Sequence, residues 1–341
     1  MVQMIPKKLE PVENLWQKEL ASAFTDPRKL LEFLEFKPEI ISGTFAARKL
    51  FPMRVPVSFA QRMQKGDIHD PLLNQVLPLN AEFVDAEGFV ADPLQEQGNG
   101  LKGLIHKYQS RVLLVVRGGC AVNCRYCFRR HFPYQDNQVN REGWASVIEY
   151  IQQDQAIEEV IYSGGDPLMA KDDFLAWLTQ SLAAIPHVKY LRIHTRLPVV
   201  IPSRVTRSLL DWFTDARLQP IMVVHVNHSN EVDEHFAQAM RLLREAGVTL
   251  LNQGVVLKGI NDSVDAQVKL SKALFDVGVL PYYLHMLDKV KGASHFLVDD
   301  EEAIAIQREV VKRLPGYLVP KLVREIGGQP GKTPLDLQLH P

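Results

Sequence analysis

The hydrophobic pattern changes character near residue 110. Before it, amphipathic stretches such as NLWQKELASAF and PRKLLEFLEF space their apolar residues at helical intervals between Pro-containing breaks, which predicts a helical lead-in over about 13–65. Residues 66–100 are rich in Asp, Pro and Gly (GDIHDPLL, DAEGFVADPLQEQGNG) and read as an ordered loop region or linker. After 110, short Val, Ile and Leu runs alternate with helix-period segments, the rhythm of buried parallel strands joined by helices. Strands are expected at 111–117 (RVLLVVR), 158–163 (EEVIYS), 189–194 (KYLRIH), 220–226 (PIMVVHV), 249–257 (TLLNQGVVL) and 280–286 (LPYYLHM). Helices are expected to follow in turn near 141–154, 171–184, 203–214, 232–246, 264–277 and 300–313.

Six such α/β units either close incompletely as a partial barrel or lie open as a doubly wound sheet. Both arrangements put the active site beyond the strand C-termini. A cysteine-bearing stretch follows the first strand, SGGDP the second and Asp288 the sixth. The chain thus divides into a helical extension and linker (1–100), an α/β body (101–314) and a C-terminal segment (315–341).

At 341 residues and 46% hydrophobic content the chain can bury a substantial core. Lys plus Arg total 39 against 40 Asp plus Glu, so no net basic charge draws the molecule to nucleic acid or an anionic membrane, and neither partner is expected. The N-terminus, MVQMIPKKLEPVENLW, has no apolar run after its charges, and no later run is long enough to span a bilayer. A soluble, cytoplasmic protein is expected.

The only cysteines, Cys120, Cys124 and Cys127, lie within GGCAVNCRYCFRRHF. In a reducing compartment such clustering favours metal binding over disulfides. Four thiolates would close a metal site, whereas three leave one position open for a reactant. The C-x-x-x-C-x-x-C spacing puts three thiolates on one loop, close enough to ligate three irons of a four-iron cluster. The alternatives are a zinc knot completed by His131 or three unligated core cysteines. In SGGDP, Gly164 and Gly165 at a strand end let backbone approach a ligand closely, and Asp166 offers a carboxylate to an ammonium group; alone, the motif is also a plausible turn.

Near the C-terminus, GGQPGKTPLD presents Lys332 among Gly and Pro. It is not a phosphate-binding P-loop: the position six residues before Lys332 is Ile326, and Pro334 interrupts the helix that should follow. An amine forming a Schiff base with pyridoxal phosphate (PLP) is one reading and a solvated lysine the other. Lys107 and Arg111 in HKYQSRVLL, with Gln253 in LLNQGVVL, are candidates to hold the PLP phosphate, or are ordinary strand-flanking charges and a buried amide.

CAVNCRYC, with Tyr126 before its last cysteine, resembles the signature of the radical S-adenosylmethionine (SAM) superfamily, and SGGDP resembles that superfamily's second motif, with Asp where many members have Glu. Together HKYQSRVLL, CAVNCRYCFRR, SGGDPL, HVNH, LLNQGVVLKGIND, PYYLHMLDKVKGASHF and GKTPL resemble the lysine 2,3-aminomutase family of radical SAM, PLP-dependent enzymes. The short chain, ending soon after GKTPL, looks most like the branch that makes (R)-β-lysine from L-α-lysine for modification of elongation factor P, where a separate ligase attaches it.

The resemblance implies a partial (β/α)6 barrel of the radical SAM type. It implies a [4Fe-4S] cluster on Cys120, Cys124 and Cys127, SAM contacts from Tyr126, Gly164, Gly165 and Asp166, and PLP on Lys332 with its phosphate held by Lys107, Arg111 and Gln253. For the substrate it implies Arg129 on the α-carboxylate and the pair Asp288 and Glu325 on the distal ammonium of L-lysine. An electron-donor protein of the flavodoxin or ferredoxin type is implied as a partner. Two departures stand out: Lys107 replaces an Arg and Glu325 an Asp of the clostridial-type enzymes, whose zinc-binding cysteines are also lacking. An unactivated β-hydrogen is too weakly acidic for a side-chain base, so a radical suits the reaction that acid-base chemistry does not. The competing readings are an aminomutase of another amino acid, with the acidic pair opposing glutamate, and a non-catalytic iron-sulfur or zinc protein.

Overall fold

The computed structural model describes residues 14–41, 45–97 and 100–339. The parts of the expected lead-in, linker and C-terminal segment at 1–13, 42–44, 98–99 and 340–341 lie outside the described residues. The lead-in holds short helices: α1 (Leu15–Ala21), α2 (Pro27–Phe33), α3 (Pro38–Ile41) and α4 (Val57–Ala60). Prolines set the starts of α2, α3 and α4. At α2, Pro27 opens the helix and the Asp26 carboxylate accepts from Arg28 N, a standard N-terminal cap. The expected loop region follows, organised by the buried Asp70 carboxylate, which accepts from the backbone N–H groups of Gln64, Leu72 and Leu73.

The α/β body begins with β1 (Leu104–Tyr108) and β2 (Arg111–Arg117), then α5 (Arg141–Gln153), β3 (Glu159–Gly164), α6 (Asp172–Ala183) and β4 (Tyr190–Thr195). It continues through α7 (Leu197–Val200), α8 (Arg207–Thr214), β5 (Gln219–Val224), α9 (Glu234–Glu245) and β6 (Thr249–Val255). The last elements are α10 (Val264–Asp276), β7 (Leu280–His285), α11 (Asp300–Arg313), β8 (Lys321–Arg324) and β9 (Thr333–Pro334). Helix starts follow local chemistry: Asn140, Thr206, Asp233 and Ser263 each accept a backbone N–H of the helix they precede.

Among the described residues, all strands form one sheet in chain order, β1 to β9. Pairs from β2 to β8 are parallel, and β1 and β9 flank them antiparallel. Chain order without reversal excludes the doubly wound alternative, which needs a switch point, and leaves the incomplete barrel. Among the described residues there are seven parallel strands where six were expected. The extra one, β8, is only KLVR after Pro320, too short for its period to register. Its pairing with β7 makes the C-terminal segment part of the sheet. The N-terminal segment likewise shares the core: Leu30, Leu31, Phe59, Leu72 and Leu73 are fully buried and join one hydrophobic cluster with Leu114, Val160, Leu191 and Met222.

Between lead-in and body lies a buried ionic knot. Glu82 takes Arg125 through two oxygens, at 2.9 Å from Nε and 2.5 Å from Nη2, and Arg130 Nη2 at 2.6 Å. Arg125 sits between Cys124 and Cys127 in sequence, so the knot anchors the cysteine loop from beneath. Among the described residues, no helix is long and apolar enough to cross a membrane. Removing one member of a fully buried pair strands the other charge, so Glu82→Ala is expected to cost about 3–5 kcal/mol in denaturant unfolding. A loss below about 1 kcal/mol would show that the knot does not hold this loop.

Candidate functional site

The strand C-termini open into a cavity lined by the three cysteines, Tyr126, Arg129, Gly164, Gly165, Asp166, Arg111, Gln253, Asp288, Glu325 and Lys332. Thirteen of the fourteen residues singled out from sequence therefore meet in one place. The exception is Lys107.

The cysteine loop and SGGDP are built on each other. Gly165 N donates to Arg117 O at 2.7 Å and Asp166 N to Gly119 O at 3.0 Å. A Cβ on Gly164, whose φ is +119°, would come within 2.4 Å of Arg117 O, and one on Gly165 within 2.6 Å of Gly118 O. The glycine pair is needed for this close crossing of two backbones. Asp166 belongs to the same junction. Its buried carboxylate accepts from Leu168 N, Thr195 Oγ1, Arg196 N and Leu197 N, which ties β3 to β4.

Burial, with repulsion from the neighbouring thiols, raises Cys120 well above the usual thiol range and Cys127 to about 11. Arg196 donates to Cys124 Sγ at 2.7 Å. A soft three-sulfur set with a guanidinium to offset thiolate charge fits an iron-sulfur cluster. His131, the candidate fourth zinc ligand, instead bonds Lys291 O through Nε2 at 3.1 Å. Among the described residues, no three His, Cys, Asp or Glu side chains group tightly enough for a single metal ion.

Arg196 also reaches Tyr126 Oη at 2.6 Å, Gln75 Oε1 at 2.7 Å and Glu231 Oε2 at 2.9 Å, while Asn227 Nδ2 donates to Tyr126 Oη at 2.6 Å. Tyr126 is thereby fixed at the cavity wall. The sequence reading missed this bracket entirely.

Opposite the cysteines, β8 and β9 pair in a register that matches Arg324 with Thr333 and Val323 with Pro334. Extending it by one step sets Glu325 against Lys332, and their side chains meet at 2.8 Å. The expected Gly-Pro loop is thus the turn of a hairpin, with Gly328 at φ +79°. Tyr108 Oη and Lys107 Nζ also contact Glu325, at 3.1 and 3.3 Å. Burial pushes Glu325 upward, but Lys332 and Lys107 outweigh it and hold the carboxyl down at about 2. Burial and then Glu325 raise Asp288 to about 7. Identical groups, differently paired, therefore differ in charge.

Lys107 is held at the edge of this group by two acids. Its ammonium lies 2.7 Å from Glu96 and 3.3 Å from Glu325. Arg129 likewise gives its fork to Glu96, with Nε at 2.6 Å and Nη2 at 3.1 Å, leaving Nη1 on Ser163 Oγ and Gly164 O. A buried guanidinium must be paired, and Glu96 does so from the linker. Arg111 stacks on Tyr108, 4.1 Å from the ring centroid. Gln253 faces the cavity from β6.

Three histidines complete the wall. His194, His225 and His285 stand at the ends of β4, β5 and β7, and burial holds all three below the usual imidazole range, His225 at about 4. Their Nε2 atoms have no hydrogen-bond partner among the described residues. Buried unpaired nitrogens on a cavity wall suit a polar ligand. The signal was legible, since three candidate strands each reach His at the same end.

The model of the Radical SAM superfamily matches residues 114–267. The chain is 56% identical over 332 residues to the L-lysine 2,3-aminomutase of Escherichia coli (strain K12), covering 97% of each. It is 52% identical over 328 residues to that of Haemophilus influenzae, covering 95% of this chain and 97% of the other. To the L-lysine 2,3-aminomutase of Clostridium subterminale it is 33% identical over 325 residues, covering 94% of this chain and 78% of that protein. By matches that run nearly end to end and a cavity bearing the corresponding motifs, the chain belongs to the L-lysine 2,3-aminomutase family of radical SAM enzymes, which are isomerases.

Proposed function

We propose that the chain converts L-α-lysine to (R)-β-lysine by moving the amino group from C2 to C3, supplying β-lysine for modification of elongation factor P by a separate ligase. The observation that carries this reading is the meeting, in one cavity, of a three-cysteine loop with Lys332 and the acid pair Asp288 and Glu325. Family membership brings a [4Fe-4S] cluster, SAM and PLP with it. When bound, these supply a hydrogen-abstracting radical and a conjugated system for nitrogen transfer.

The protein's share is binding and orientation. Cys120, Cys124 and Cys127 hold the cluster, with Arg196 beside Cys124 moderating the charge there. Tyr126 and the Gly164–Gly165 backbone form the SAM side of the cavity. Lys332 is the PLP lysine, and Lys107, Arg111 and Gln253 are the phosphate contacts, with Lys107 positioned by Glu325 and Glu96. Arg129, oriented by Glu96, supplies positive charge to the substrate carboxylate. Asp288 takes the distal ammonium, assisted by Glu325 once Lys332 has left it. The extra methylene of Glu325 relative to Asp gives the reach to Lys332 at 2.8 Å. Buried walls of Val122, Ile161, Leu197 and Leu287 exclude water around the reacting atoms.

Lys332→Ala is expected to keep the visible absorbance of the cluster but to lose both borohydride-trappable PLP and aminomutation; retained turnover would remove Lys332 from its role. A second outcome follows from Asp288. The substrate ammonium binds the ionised carboxylate, which predominates only above about pH 7, so kcat/KM for L-lysine is expected to rise as pH increases through that value. Asp288→Asn should lower kcat/KM about 100-fold and abolish that limb, and an unchanged limb in the variant would assign it to another group.

A further inference from the structure

An open groove lies on the outer face of the body, between α5 and α6, beside the root of the cysteine loop. Its floor is aromatic: Trp144 and Phe174 lie 5.9 Å apart, and Phe174 and Trp177 5.8 Å apart. Arg117, Arg141 and Lys171 are exposed around it, against a single acid, Asp173. Arg141 stacks over Trp177 at 5.3 Å. Among the described residues none of the three cations is ion-paired.

Chain connectivity fixes how near this face is to the cluster ligands. Arg117 precedes Cys120 by three residues, so their Cα atoms lie within about 11 Å. The two residues between are Gly118 and Gly119, and Gly119 is exposed with nothing within 4 Å of a Cβ built on it. Gly119 is thus open to solvent one residue before the first cysteine, while the Tyr134 side chain covers Gly118. The cavity side of the same loop faces the substrate lysine and SAM in the proposed function, which leaves the outer face for reduction.

We propose that this groove docks an acidic, low-potential one-electron carrier protein, with Arg117 and Lys171 meeting its carboxylates and the aromatic floor burying its apolar centre. The proposal rests on the cluster assigned above. In the step itself the carrier loses one electron and the cluster gains it, with no bond made or broken. Long-lived charge pairs are not required, because rim charges act mainly on encounter rate and salt dependence.

The test uses full-length holoprotein and a bacterial flavodoxin as probe. Binding of oxidised flavodoxin is measured against salt, and reduction of the cluster by flavodoxin hydroquinone is followed by bleaching of its visible absorbance. Arg117→Glu combined with Lys171→Glu is expected to weaken binding roughly tenfold at about 50 mM salt and to slow reduction in proportion. Dithionite should reduce both proteins alike. The same reversal at Lys269 and Lys272 on α10 should change neither quantity. Equal flavodoxin affinity and equal reduction rates in the groove variant, or no binding by the unmodified protein, would overturn the docking surface. Failure of dithionite to drive SAM cleavage would count instead against the radical SAM function, and the binding comparison would still stand.

Discussion

Parallel pairing of consecutive strands is the constraint on which the rest depends. Because β2 to β8 run in one direction and neighbour one another in chain order, every carboxyl end arrives at the same rim. Residues far apart in sequence, from Cys120 to Lys332, are brought to one cavity without any long-range motif to specify it. Packing of the rim then sharpens this placement. The Gly164–Gly165 step pressed onto the Gly118–Gly119 backbone couples the first two strand ends, and Asp166 couples the second to the third.

Buried charge around that rim is organised as acids shared between cations. Glu82 holds Arg125 and Arg130, Glu96 holds Arg129 and Lys107, Glu231 holds Arg196, and Glu325 holds Lys107 and Lys332. Each removes the penalty of an isolated buried ion and fixes an orientation. Asp288 stands outside this scheme: burial raises it to about 7. A carboxyl of that kind is suited to gaining its charge partner from a substrate.

Much of this was legible in the residues. Strands such as RVLLVVR and helices such as 300–313 carry strong period signals, and structure agrees at 111–117 and Asp300–Arg313. Cysteine spacing and the Gly-Pro context of Lys332 identified the two ends of the cavity because ligand chemistry demands local sequence. What escaped was non-local. Glu82, Glu96 and Gln75 lie in a region without periodicity and reach partners dozens of residues away. Strand β8 is four residues long, and β9 exists only because β8 offers it an edge. The protein partners of Asp166 and Lys107 were equally hidden, because a charged side chain near a site is as well satisfied by protein groups as by ligand, and sequence does not report which.

The central claim is that one cavity couples SAM cleavage at the cysteine loop to nitrogen migration at Lys332. An anaerobic assay of the reconstituted protein with L-lysine, SAM, PLP and a reductant, resolving α- from β-lysine, tests it most directly. The account predicts β-lysine formed only when all of these are present. SAM cleavage without any β-lysine would contradict it.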